Sequence, residues 1–193
     1  TLKHSKYDDR GVRRYFTLAS SPTEDLIRIG VKFYDKPSTF KQRLVSLKPG
    51  EKLVASQLAG EFTLPRDKTK KLAFIAGGIG VTPFRSMIKY LVDMNEKRDI
   101  VIFYAANSYK DISYREVFNE AEKKLGIKTV YILNNASVAP HELNYRTGIL
   151  TENILSDEVK DFRERFFYIS GPRVMILSFK SEPTKIMPPP APA

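Results

Sequence analysis

The sequence predicts a two-domain fold: a small antiparallel β-barrel, apparently incomplete at its N-terminal end, followed by an α/β parallel-sheet domain. Three observations lead there. Residues 14–65 form a series of short β-type segments punctuated by Pro49, Gly50, Gly60 and Pro65. From Lys71 the rhythm changes to apolar runs alternating with amphipathic helical patterns, which argues for repeated strand–helix units. Between the two, residues 66–71 are polar and lysine-rich, so the boundary is set at 1–68 against 69–180, with a proline-rich tail over 181–193.

Residues 14–20 and 26–34 carry the aromatic and β-branched side chains of strands. Residues 38–44 differ: Ser38 supplies a capping hydroxyl before helix-compatible residues, and one short helix is expected there. Residues 72–76 are continuously apolar, the pattern of a strand buried on both faces. Thr82 is the expected N-cap of the next helix, with Pro83 at its first position. Phe84, Met87, Ile88 and Leu91 then repeat at helical spacing. A second strand follows over 100–105. A helix spans about 113–125, with Val117, Phe118 and Ala121 inward and Gly126 as its stop. Strand three covers 129–133, a short helix begins after Thr151, and strand four covers 166–170, giving a parallel sheet with helices on both faces. After Gly171 and Pro172 the pattern expects another helix and an edge strand. The chain offers only a short apolar stretch from Met175 before residues 188–193, a stiff Pro-Ala tail.

Composition removes several function classes. The 193 residues include 32 Lys and Arg against 22 Asp and Glu, a formal charge of +10. Residues 1–70 hold 15 basic and 8 acidic side chains, the remainder 17 and 14. A basic half suits a phosphate-bearing cofactor, an acidic protein, acidic lipid or nucleic acid. No RNP-type motif, zinc finger or helix-turn-helix pattern accompanies it, which argues against nucleic acid. Without cysteine there are no disulfides, thiolate zinc sites, cysteine nucleophiles or cysteine-ligated iron–sulfur clusters. His4 and His141 have no metal-ligand spacing, so no metal is expected. No apolar run approaches the roughly 20 residues of a membrane helix. The chain lacks an initiator Met and a leader, so Thr1 reads as a cut inside a longer protein. Its expected place is the cytoplasm, alone or as the cytoplasmic domain of that protein.

The main chemical signal is the segment 77–83, Gly-Gly-Ile-Gly-Val-Thr-Pro, which joins a buried strand to a helix. Backbone N–H groups at such a junction and the helix dipole favour an anion, and glycines let a pyrophosphate approach the backbone. A second signal is Arg14, Tyr15, Phe16 and Thr17. On a strand Arg14 and Phe16 share one face, Tyr15 and Thr17 the other. Arginine grips phosphate oxygens, an aromatic covers a planar ring, and a hydroxyl bonds a ring heteroatom. The third is Ser170, Gly171 and Pro172 at the carboxyl end of a strand, the edge where open α/β sheets bind ligands.

In this order and spacing, the three segments resemble the ferredoxin–NADP reductase superfamily over about residues 7–176. That family has an R-x-[YF]-[ST] flavin motif, a barrel helix near the flavin pyrophosphate, a G-G-x-G-x-T-P nucleotide motif and a late [CS]-G-P segment. The resemblance implies that 1–68 is a partial FAD-binding barrel and 69–180 an NAD(P)-binding domain. It gives Arg14 to the FAD pyrophosphate, and Phe16 and Thr17, with Tyr15, to the isoalloxazine. Lys32, Ser38, Thr39 and Phe40 would support the pyrophosphate. Thr82 would lie between flavin and nicotinamide, followed by Pro83. Gly77, Gly78 and Gly80 would meet the nucleotide phosphates, and Ala105, Asn107 and Ser108 its ribose side. Gly171, Pro172 and Met175 complete the late segment.

Hydride transfer from NAD(P)H to FAD, then electron release to an external acceptor, is the activity so implied, with Thr17 facing flavin N5 and Ser170 near the nicotinamide as the catalytic positions. Glu61 and Asp111 are read as surface or turn residues. The acceptor is expected to be a ferredoxin- or flavodoxin-like protein, an acidic partner, or another redox domain. NADH is favoured over NADPH, because residues 133–137 are neutral, though Lys110 or Arg115 stands nearby. Three departures stand against the family pattern: two expected first strands precede Thr1, no aromatic residue closes over the flavin, and Ser170 replaces a frequent cysteine. A non-catalytic nucleotide- or flavin-sensing module of the same fold is the alternative.

Overall fold

The structure, a computed structural model, describes residues 11–55 and 58–180. The expected proline-rich tail, His4 and the first ten residues of the expected barrel lie outside these. Five strands form one fully parallel sheet: β1 (Leu72–Gly77), β2 (Ile100–Ser108), β3 (Lys128–Asn135), β4 (Tyr145–Thr147) and β5 (Phe166–Ser170), in the order β4-β3-β2-β1-β5. Every residue of β1 is buried, as its uninterrupted apolar run requires of a central parallel strand.

Helices cover both faces. On one, α2 (Thr82–Asp93) and α3 (Arg115–Leu125) pack Phe84, Ile88, Leu91, Val117, Phe118 and Ala121 onto Phe74, Ile102 and Tyr104. The other face buries Leu155 of α4 (Glu152–Glu158) and Phe179 of α5 (Arg173–Lys180) against Ile75, Phe103 and Phe167. Local signals act as expected at several ends. Thr151 Oγ1 accepts from the Ile154 N–H at 3.4 Å, and Gly126 closes α3 in the left-handed region at φ 73°.

Four expectations need correction. Among the described residues no barrel is seen: over 11–71, regular structure is limited there to α1 (Thr39–Val45) and one antiparallel bridge, Leu18 with Ile29. β-type composition at 14–20 and 26–34 is insufficient there, because a lone strand pair without a third strand or a covering face is marginal. Thr82 is not an N-cap. Its φ of −54° and ψ of −47° are helical, because Gly78–Val81 already turn as a 3-10 helix that runs into α2. A fifth strand, β4, extends the sheet where a loop was expected. The stretch after Pro172 is a helix, α5, starting one residue past the proline. Among the described residues no helix is long and apolar enough to cross a membrane.

Candidate nucleotide and flavin site

The sheet order places the candidate site. From β1 the chain goes through β2 to β3 on one side, and β5 returns on the other, so the strand order reverses at β1. Open α/β sheets bind ligands at the carboxyl edge of that switch point. Register brings Ala76 beside Ser170 and Gly77 beside Ala105, so the glycine turn, the Ser170 segment and the end of β2 meet on that edge.

The glycines of the turn differ in what they do. A Cβ at Gly80 would lie 2.3 Å from the Ser170 carbonyl oxygen and 2.7 Å from Gly171 Cα. One at Gly77 would meet Pro172 Cδ at 2.8 Å and Met175 Sδ at 2.9 Å. One at Gly171 would reach Met175 Cε at 2.5 Å. These three positions are glycine so that the turn after β1 can pack directly on the β5–α5 connection. Gly78 is different: its φ is +52°, and a Cβ there would meet nothing within 4 Å. Gly78 therefore presents backbone to open space, just ahead of a 12-residue helix with no acidic residue in its first turn and no side chain capping its N–H groups. Such a terminus suits a phosphate.

On β2, Ala105 is half-buried and Asn107 exposed. The Ser108 hydroxyl is engaged with Asp111 Oδ2 at 2.7 Å, which also accepts the Ser108 N–H, so Asp111 serves as a turn-forming acid. Ser170 ends β5 half-buried, its carbonyl facing Gly80.

The flavin-type residues lie on the 11–45 segment. Arg14 and Phe16 share a face: the guanidinium stands 5.1 Å from the Phe40 ring centroid, and the Phe16 and Phe40 rings are 6.0 Å apart. Arg14 also donates to the Gly11 carbonyl at 2.9 Å. Tyr15 and Thr17 are exposed. Ser38 caps α1, its hydroxyl accepting the Lys41 N–H at 3.4 Å, and Lys32 is exposed beside the Tyr34 ring. Thr39 Oγ1, next to Ser38 and Phe40, is buried without a hydrogen-bond partner. An orphaned hydroxyl at the start of α1, with the Arg14 guanidinium over the next residue's ring, fits a pyrophosphate oxygen.

Sequence reasoning missed the residues that join the two halves. A Cβ at Gly30 would lie 2.5 Å from Thr82 Cγ2, 2.9 Å from Ile79 Cδ1 and 2.9 Å from Tyr114 Oη. The glycine turn is thus held between Gly30 on one side and the 170–175 connection on the other, and Thr82 is buried there. Arg85 of α2, 7% exposed, donates to the Ala19 carbonyl at 3.0 Å and to both carboxylate oxygens of Glu24. Hydrogen bonding from Arg85 holds the Glu24 carboxyl at about 2, below its ordinary 4.5. Tyr114 takes a left-handed backbone, φ 62°, under the Arg85 guanidinium. Gly30 alone carried a sequence signal: a glycine between Ile29 and Val31 marks close backbone approach.

Comparison with known proteins adds a family. The family model described as the oxidoreductase NAD-binding domain matches residues 74–180. A flavohemoprotein of Bacillus subtilis (strain 168) is 27% identical over 160 residues, 82% of this chain and 39% of that protein. A component of the Na(+)-translocating NADH-quinone reductase of Mannheimia succiniciproducens is 30% identical over 186 residues, 89% of this chain and 44% of that protein. The chain spans less than half the length of either relative. Among solved structures, the cytochrome b5 reductase domain of Ulva prolifera nitrate reductase superposes with a TM-score of 0.74 at 21% identity, covering 95% of this chain and 76% of that one, a likeness of fold.

Proposed function

The chain belongs to the oxidoreductase NAD-binding domain family, within the ferredoxin–NADP reductase superfamily, and from that membership we propose that it is the reductase part of a flavin-dependent electron-transfer protein. It binds NAD(P)H on the carboxyl edge of β1, β2 and β5, and FAD on the 11–45 segment. The observation that carries this reading is the glycine turn at the switch point, with open backbone at Gly78 and Gly30 packed against its other side. When bound, the flavin supplies hydride acceptance from the nicotinamide and onward release of electrons.

The chain's own residues bind, orient and exclude water. The Gly78 backbone and the first turn of α2 receive the nucleotide phosphates. Arg14 and the orphaned Thr39 hydroxyl hold the FAD pyrophosphate, and Ser38 and Lys32 flank it. Phe16 shields one side of the ring. Thr17 would offer its hydroxyl to the flavin and Ser170 to the nicotinamide, and Asn107 would serve the ribose. The coenzyme is NADH, and the acceptor is an external redox protein or domain of ferredoxin or flavodoxin type. The protein works in the cytoplasm or as a cytoplasmic domain.

The test is anaerobic. The purified chain, reconstituted with FAD, is expected to show flavin absorption that NADH bleaches and a redox acceptor restores. Flavin retention without bleaching by either NADH or NADPH overturns the reductase reading and supports a sensing module.

A further inference from the structure

Arg85 is a buried cation whose hydrogen-bond partners all come from the other half of the molecule. Its guanidinium donates to the Ala19 carbonyl and the Glu24 carboxylate, while its Nε is buried without a hydrogen-bond partner. Burying an arginine is costly unless its charge is matched, so α2 and the 18–30 segment are each incomplete without the other. Glu24 is itself fixed by the Ser21 N–H at 2.8 Å and by Arg28 at 3.7 Å. Two further hydrogen bonds extend the join along α2: Ser86 Oγ donates to the Ser20 carbonyl at 2.7 Å, and Thr23 Oγ1 to the Asp93 carboxylate. Gly30, at the far end of the segment, rests against Thr82 and Ile79 at the helix start.

The segment is therefore keyed to the helix that opens directly from the nucleotide turn. Arg85 lies three residues beyond Thr82, on the same face of the first helical turn. Residues 14–17 lead straight into Ala19. We propose that the Glu24–Arg85 pair is a positioning clamp: it fixes the separation and angle between the segment that carries Arg14, Phe16 and Thr17 and the turn that carries Gly78. This rests on the reductase reading above. Buried ion pairs contribute little net stability compared with apolar replacements, and their best-attested use is to specify one arrangement. A redox site needs that, because a misplacement of about 1 Å can slow transfer about a hundredfold. Arg85 is then a positioning residue that touches neither ligand.

The experiment uses the full, flavin-loaded chain carrying Arg85→Gln, Glu24→Gln or Arg85→Lys. Stopped-flow bleaching by NADH, NADH titration, flavin content and amide hydrogen exchange are compared. Arg85→Gln is expected to slow bleaching about 10- to 100-fold while NADH affinity and flavin content hold within about threefold. Exchange at Ala19, whose N–H bonds the Arg28 carbonyl at 2.8 Å, is expected to rise while β1 and β2 stay protected. Arg85→Lys recovers part of the rate. If Arg85→Gln fails to fold, Glu24→Gln, which keeps shape and loses charge, gives the same comparison. Unchanged bleaching with raised exchange at Ala19 overturns the clamp and leaves the reductase reading standing. Equal loss of rate, flavin and NADH affinity also overturns it, in favour of a purely structural pair. A wild-type protein that holds flavin but is not bleached overturns the reductase reading itself.

Discussion

At Gly80 an added Cβ would stand 2.3 Å from the Ser170 carbonyl oxygen, whereas at Gly78 it would meet nothing and only the backbone, at φ +52°, would object. The sequence alone assigns both to close approach of a phosphate. The geometry separates them. Gly80→Val is expected to push the β1 turn off β5, lowering the urea midpoint and weakening flavin and NADH together. Gly78→Ala should cost roughly 1 kcal/mol of left-handed strain while leaving the fold and the flavin in place. Its cost should fall on NADH, read as a raised KM or titrated Kd. Selective loss of NADH in Gly80→Val with an unchanged midpoint would reverse the two assignments. Arg14 answers a different question. It stands over the Phe40 ring, 5.1 Å from its centroid. Arg14→Ala is expected to weaken FAD by about 1.5–3 kcal/mol, the usual loss for a charge-assisted bond. Equilibrium titration of the flavin-free protein at fixed salt checks it, and unchanged affinity removes Arg14 from the site.

Elements with strong periodicity were legible before the structure, and those held by distant partners were not. β1, β2, β3 and β5 announce themselves as apolar runs, and α2 and α3 by helical spacing of Phe84, Met87, Ile88, Val117 and Phe118. β4 is three residues, partly exposed and without alternation, so only its pairing with β3 defines it. The 14–34 stretch has strand composition, yet beyond the Leu18–Ile29 bridge no ladder forms in it. Gly30 against Thr82 and Glu24 against Arg85 join positions more than fifty residues apart, which no local pattern encodes. Coenzyme choice turns on the end of β3 and the connection that follows it. β3 ends in exposed Asn134 and Asn135, and Asn135 Oδ1 accepts the Ser137 N–H at 3.0 Å, so residues 133–137 are neutral and tied to themselves. Arg115 is stacked 4.1 Å from the Tyr109 ring centroid, on the neighbouring connection. A dianionic 2′-phosphate thus gains no ready bidentate partner from the loop. NADH is expected to have the higher kcat/KM. A tenfold preference for NADPH, about 1.4 kcal/mol, would show that Arg115 leaves its stack to supply the charge.

Across the whole molecule the charge is lopsided, and that asymmetry bears on where electrons leave. Fifteen basic against eight acidic residues lie in 1–70, the half that carries the flavin-type residues, within a net charge of +10. Some of that charge is matched locally. Arg43 pairs with Glu51 and Lys68 with Glu96 at 2.6 Å. Lys32 and Lys41 instead lie over the exposed Tyr34 ring, keeping positive charge beside 64% exposed aromatic surface. Aromatic and basic side chains together suit an acidic protein that docks transiently, through steering more than through buried area. Long-range attraction of this kind is screened once the Debye length shrinks, from about 30 Å at 0.01 M salt to about 3 Å at 1 M. The second-order rate of electron delivery to an acidic ferredoxin- or flavodoxin-type acceptor is therefore expected to fall steeply with salt. Delivery to an uncharged quinone should change little over the same range, which separates docking from any effect of salt on the flavin or NADH sites. Lys41→Glu should flatten the salt dependence for the acidic acceptor and leave the quinone rate alone. If both acceptors lose rate in parallel, the lysine serves the cofactor phosphates instead, and the partner docks on another face.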